Sequence, residues 1–152
     1  MLKQRVITAV VLLAVLLPVL FADAVWPFAL VTLAMVGAAG WEWGRLNGLR
    51  DAGALGLTAL VLALCIAAVE FGWFIAPPAG LWWVATLLWV LGGAYALRHG
   101  VAAWSGHAPL ARQGIGVVGL LLAWLAFADA RAIGINFLLS VLCLVWMADI
   151  AA

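Results

Sequence analysis

The sequence predicts an all-α polytopic membrane protein with about six transmembrane helices, and three observations carry that expectation. Hydrophobic residues make up 70% of the 152 positions and charged residues 9%, with a mean hydropathy of +1.28. A soluble domain has about 25% charged and roughly 45–50% apolar residues, so this much apolar surface needs lipid as its solvent. The apolar residues fall into long runs broken by short turn-forming stretches, and the cations concentrate in alternate breaks.

Six runs are span candidates: 6–22, 25–40, 54–69, 81–97, 115–128 and 132–148. The whole of 1–152 reads as one transmembrane domain. Several runs fall short of the ~20 residues that cross a bilayer core, a deficit that tilt or local thinning covers. The run 115–128 is the weakest candidate and is compatible with a half-buried or re-entrant piece. Asp23 and Trp26-Pro27 divide the first two runs, and "GRLNGLRDAG" follows the second. Glu70 and Pro77-Pro78 follow the third, "RHGVAAWSGHAPLARQG" the fourth, and Asp129 with Arg131 separates the last two. The opening residues also fit a secretory leader ending near Ala22-Asp23-Ala24. The further apolar runs beyond them favour a retained first span instead.

With the N-terminus in the cytoplasm, the inner side receives Lys3, Arg5, Arg45, Arg50, Arg98 and Arg112, and the outer side only Arg131. Short loops follow the positive-inside rule best, so six crossings with both ends cytoplasmic are expected. All tryptophans except Trp89 and Trp124 lie at or near a span end, where anchoring in the headgroup zone accounts for them. Ala34 and Ala38 in the second run, and Gly116, Gly119 and Ala123 in the fifth, are expected to allow close helix contacts. Cys65 and Cys143 read as small buried hydrophobes. A formal net charge of +1 excludes the basic field that nucleic-acid binding needs. "GIGVVG" at 114–119 follows no strand and is not a dinucleotide fingerprint.

Three residues stand out as candidates for chemistry. Asp149 lies roughly 24 Å along a helix from Ile133, near the inner membrane boundary. It reads either as a helix-end acid facing water or as a carboxylate serving metal or phosphate chemistry where nucleotides are available. Glu42 and Arg45, in "WEWGRLNGL", are three apart on one helical face. They read as an intrahelical ion pair, or as contacts to a lipid headgroup or another helix. Asn136 and Ser140 share a face of the last run, and helix–helix hydrogen bonding accounts for them.

"MLKQRVITAVVL", "WEWGRLNGL" and "LVWMADIAA" together resemble the bacterial phosphatidate cytidylyltransferase (CDP-diacylglycerol synthase) family, over about the first half of a typical member. The resemblance implies an integral enzyme of the bacterial inner membrane that joins CTP to phosphatidic acid, forming CDP-diacylglycerol and pyrophosphate for phospholipid synthesis. It implies assistance by Mg²⁺, a homodimer, and an active-site role for Asp149 as catalytic and metal-binding carboxylate. The family's remaining signature residues, a Tyr and then Asp-, Lys-, Arg- and His-Gly-Gly-bearing elements, are expected beyond Ala152. The 152-residue chain alone is therefore expected to be an inactive N-terminal fragment. The rival expectation is a non-enzymatic six-span scaffold or transporter component. Transport is disfavoured because no run carries a charge at its centre.

Overall fold

The computed structural model describes residues 2–100 and 102–151, excluding the side chains of residues 2–6, 8, 9, 12, 13, 102 and 149. The described residues form helices and no strand: α1 (Leu2–Leu20), α2 (Trp26–Leu46), α3 (Asp51–Glu70), α4 (Ala79–His99), α5 (Ala102–Ser105), α6 (Pro109–Ile133) and α7 (Ile135–Ala151). The all-helical class is as the sequence predicts. By length and composition, α3, α4 and α6 can cross a membrane, and Ile135–Ala148 is a shorter apolar helix. The expected six crossings are not established, since α1 and α2 fall outside that set.

Element boundaries follow local chemistry. Pro27 and Pro109 occupy the first turns of α2 and α6, where the missing N–H has no intrahelical partner to lose. The weakest sequence candidate, 115–128, is instead the longest helix, of 25 residues or about 37 Å. Asp129 and Arg131, expected between two spans, lie inside its last turns. The break falls at Gly134, whose φ of +150° few side chains tolerate. The turn after α2 likewise depends on Gly48, with φ +85°.

Helices α2, α3 and α6 form the centre. Val36, Leu57, Val61, Cys65, Val117, Trp124 and Leu125 are buried together. A second cluster joins Leu20, Phe28, Ala130 and Leu138 from α1, α2, α6 and α7. The α2–α3 seam runs on glycines. A Cβ at Gly37 would meet Leu62, one at Gly40 would meet Thr58 Cα at 3.4 Å, and one at Gly44 would meet Ala54 Cα at 3.0 Å. Ala34, Ala38 and Ala123, expected at contacts, are exposed instead. The seam lies about a third of a turn away on the same helix, because close backbone approach selects glycine over alanine. Cys65 is buried as expected, whereas Cys143 is exposed.

Two indole hydrogen bonds make α2 and α6 antiparallel. Trp124 Nε1 donates to the Ala29 carbonyl at 3.1 Å, and Trp43 Nε1 donates to the Arg112 carbonyl at 3.0 Å. The ends sort accordingly. Trp26 stacks on Phe74, with ring centroids 4.4 Å apart, and the Arg131 guanidinium donates to the Ala22 carbonyl at one end. At the other end lie Trp43, Arg112 and Trp104. The same end receives Arg45 and Arg50 at the α2–α3 turn and Arg98 at the close of α4. Arg131 lies at the opposite end, so the charge asymmetry read from the sequence is also an asymmetry of the bundle.

Candidate functional site

The basic end is assembled from the last turn of α2, the turn into α3, the end of α4, α5 and the start of α6. At the close of α2, the Trp43 carbonyl accepts both the Asn47 backbone N–H at 3.1 Å and Asn47 Nδ2 at 2.9 Å. Arg45 does not pair with Glu42. Its guanidinium meets Asp51 at 2.5 Å, across the turn. Asp51 opens α3, where a carboxylate also opposes the positive end of the helix dipole. The turn through Gly48 brings these two side chains within reach, and Glu42 is left exposed on α2.

Trp43, read from sequence as an interfacial anchor, instead joins two helices. Besides donating to Arg112, it lies against Gly116, where any Cβ would occupy the indole's space. The expectation that Gly116 permits close approach holds, with a ring rather than a backbone as its neighbour. Gly119 is different, since a Cβ there meets nothing within 4 Å. Trp43 also presents its ring edge-on to Trp104, centroids 5.8 Å apart.

An aromatic and imidazole group continues from Trp104. Tyr95 stacks on His99 at 4.2 Å and meets His107 edge-on at 5.7 Å. His99 Nδ1 lies 2.9 Å from the Tyr95 carbonyl, and His107 Nδ1 2.8 Å from the Ala103 carbonyl. A carbonyl can only accept, so Nδ1 carries the hydrogen in both rings. Tyr95 drew no notice in the sequence. Its spacing of four from His99 is the signal that could have marked it, since such residues share a helical face.

Asp149 lies in the last turn of α7, roughly 21 Å along the axis from Ile135. Its backbone is helical, and its side chain lies outside the described residues. Among the described residues, no three His, Cys, Asp or Glu side chains gather as a metal site. Ser140 Oγ donates to the carbonyl of Asn136 within α7 at 2.8 Å, and both side chains are exposed. The expected helix–helix hydrogen bond is thus a local one. What the basic end can do chemically is attract and hold anionic groups at one face of the bundle.

The model of a family described as "Cytidylyltransferase family" matches residues 3–152. A phosphatidate cytidylyltransferase from Pseudomonas aeruginosa is 35% identical over 158 aligned residues, covering 100% of this chain and 56% of that protein. The chain thus spans just over half the length of the curated relative it matches. No solved structure matches it significantly.

Proposed function

The chain belongs to the cytidylyltransferase family, and from that premise we propose that it is the membrane-embedded N-terminal part of a phosphatidate cytidylyltransferase. In the proposed reaction an oxygen of the lipid phosphate bonds to the α-phosphorus of CTP. The bond from that phosphorus to the bridging oxygen breaks, and pyrophosphate leaves. The single observation that carries this reading is the match of the whole chain to an enzyme of that name.

The basic end supports the reading physically. Two polyanions have to meet at a membrane surface, and each Lys or Arg near that surface attracts anions by about 1 kcal/mol. Under the positive-inside rule this end faces the cytoplasm of a bacterial cell, where CTP is found. Asp149 is proposed as one active-site carboxylate. Among the described residues, no three His, Cys, Asp or Glu side chains gather to hold a magnesium ion. Homodimerisation belongs to the same proposal, and the mass of the detergent-solubilised protein tests it.

The direct test uses a chain extended to the relative's full length, assayed for CDP-diacylglycerol formation from CTP and phosphatidic acid. Asp149→Asn should lower turnover at least about tenfold, as loss of a group supporting a metal site does. Unchanged turnover in that variant would remove Asp149 from the site. No product from the unmutated extended chain would remove the enzymatic reading itself.

A further inference from the structure

One motif in the sequence has no part in the proposed reaction. Lys3 and Arg5 precede an apolar run that ends in Ala22-Asp23-Ala24, the small-x-small pattern that leader peptidases read before they cut. Helix α1 stops at Leu20 and α2 starts at Trp26, so residues 21–25 form a link without helical structure. Asp23 and Ala24 are exposed there, and Ala22 is half-buried. The link lies at the end of the bundle opposite Arg45 and Arg112. The positive-inside rule puts that end outside, on the side where leaders are removed.

Peptidases take their substrates as extended strands held by main-chain hydrogen bonds. Among the described residues, the one hydrogen bond to the backbone of Ala22, Asp23 or Ala24 comes from Arg131. Its guanidinium reaches from the last turn of α6 to the Ala22 carbonyl, in the third residue before the Ala24–Val25 bond. The Arg131 Nε is buried without a partner, so the guanidinium lies against protein rather than in water. Among the described residues neither Asp23 nor Asp129 pairs with it. On the far side of the bond, Val25 packs on the central core. The stretch is thus fastened on both sides, and it cannot extend into a peptidase cleft while Arg131 holds.

We propose that Ala22-Asp23-Ala24 is a cleavage site for a membrane-bound leader peptidase, kept shut in the folded chain by the Arg131 hydrogen bond to Ala22. Once that bond opens, the peptidase adds water across the Ala24–Val25 peptide. A carboxylate forms on Ala24 and a free amine on Val25. Helix α1 is then tied to the bundle only by packing, as in the cluster of Leu20 with Phe28 and Leu138. This inference is independent of the catalytic proposal, since it concerns the outer end and a different enzyme.

The test incubates the folded 152-residue chain in detergent with purified bacterial leader peptidase and reads intact mass. Arg131→Met keeps the side-chain length and loses every donor. It should be cut between Ala24 and Val25 at least about tenfold faster than the unmutated chain, because cleavage follows the population of the opened link. Adding Ala24→Leu to Arg131→Met should stop the cut. Trp43→Ala, which weakens the bundle at its other end, should be cut as slowly as the unmutated chain, and this separates local opening from unfolding. A peptide of residues 16–30, free of Arg131, should be cut at the same bond. An uncut peptide overturns the proposal, as do equal rates for the unmutated chain and Arg131→Met. Cutting that survives Ala24→Leu, or that Trp43→Ala accelerates as much as Arg131→Met does, overturns it equally.

Discussion

Trp43 and Arg112, 69 residues apart in sequence, are joined by an indole-to-carbonyl hydrogen bond of 3.0 Å. With the Trp124–Ala29 bond, it pins α2 against α6 at two levels about 21 Å apart along α2. Trp43→Phe keeps most of the ring contact and removes the donor. It should destabilise the bundle by about 1 kcal/mol. Trp43→Ala also removes the packing and should cost about 3 kcal/mol, the lower end of the range for such truncations because the ring is only half-buried. Unfolding in mixed detergent–denaturant micelles measures both, and equal effects would mean that the hydrogen bond contributes nothing.

Gly116 offers the converse test. Its Cβ position is occupied by the Trp43 indole, so Gly116→Ala forces the ring out and breaks the Arg112 bond. A loss of about 1–3 kcal/mol is expected, as for other overpacked sites. In a Trp43→Ala background the same substitution should be nearly neutral. That non-additivity is the signature of direct contact. Gly119→Ala serves as control, because nothing lies within 4 Å of its Cβ.

The Arg45–Asp51 pair is short but exposed, with side chains 49% and 75% accessible. Solvent and salt screen such pairs, whose median worth is about 0–1 kcal/mol. A double-mutant cycle on Arg45→Ala and Asp51→Ala should return a coupling of about 0.5 kcal/mol that falls as salt rises. The Glu42→Gln variant should show no coupling to Arg45, which separates this arrangement from the pairing that the i, i+3 spacing suggests.

What the sequence made legible, and what it left hidden, divides along physical lines. Helical class and the sorting of cations to one end depend on hydropathy and charge, which act locally and read directly from residue order. The seam does not. Ala34 and Ala38 obey the same small-residue spacing as Gly37, Gly40 and Gly44, and only the angular position of α3 decides which row is buried. Trp43 and the anchoring tryptophans are alike until α6 arrives beside one of them. The run 115–128 looked short because Asp129 and Arg131 interrupt it, yet Arg131 continues the helix and donates to the Ala22 carbonyl just past the end of α1. Such a carbonyl, left open beyond a helix C-terminus, welcomes a cation. Asp149 was singled out by its place near the inner membrane boundary and given a catalytic role by resemblance, and its side chain lies outside the described residues.

Orientation in the membrane is the remaining premise, and the charges make it testable. Arg45, Arg50, Arg98 and Arg112 share one end of the bundle, and a last helix that crosses back from the break at Gly134 would end on the same side. Moving them across the bilayer against the positive-inside preference is unfavourable, so a reporter fused after Ala152 should be active in its cytoplasmic form. Replacing all four arginines by Gln removes most of the bias and should yield a mixed population of orientations. If the unmutated fusion reports from the periplasm, the basic end and Asp149 face away from CTP, and the proposed reaction has no route to its nucleotide.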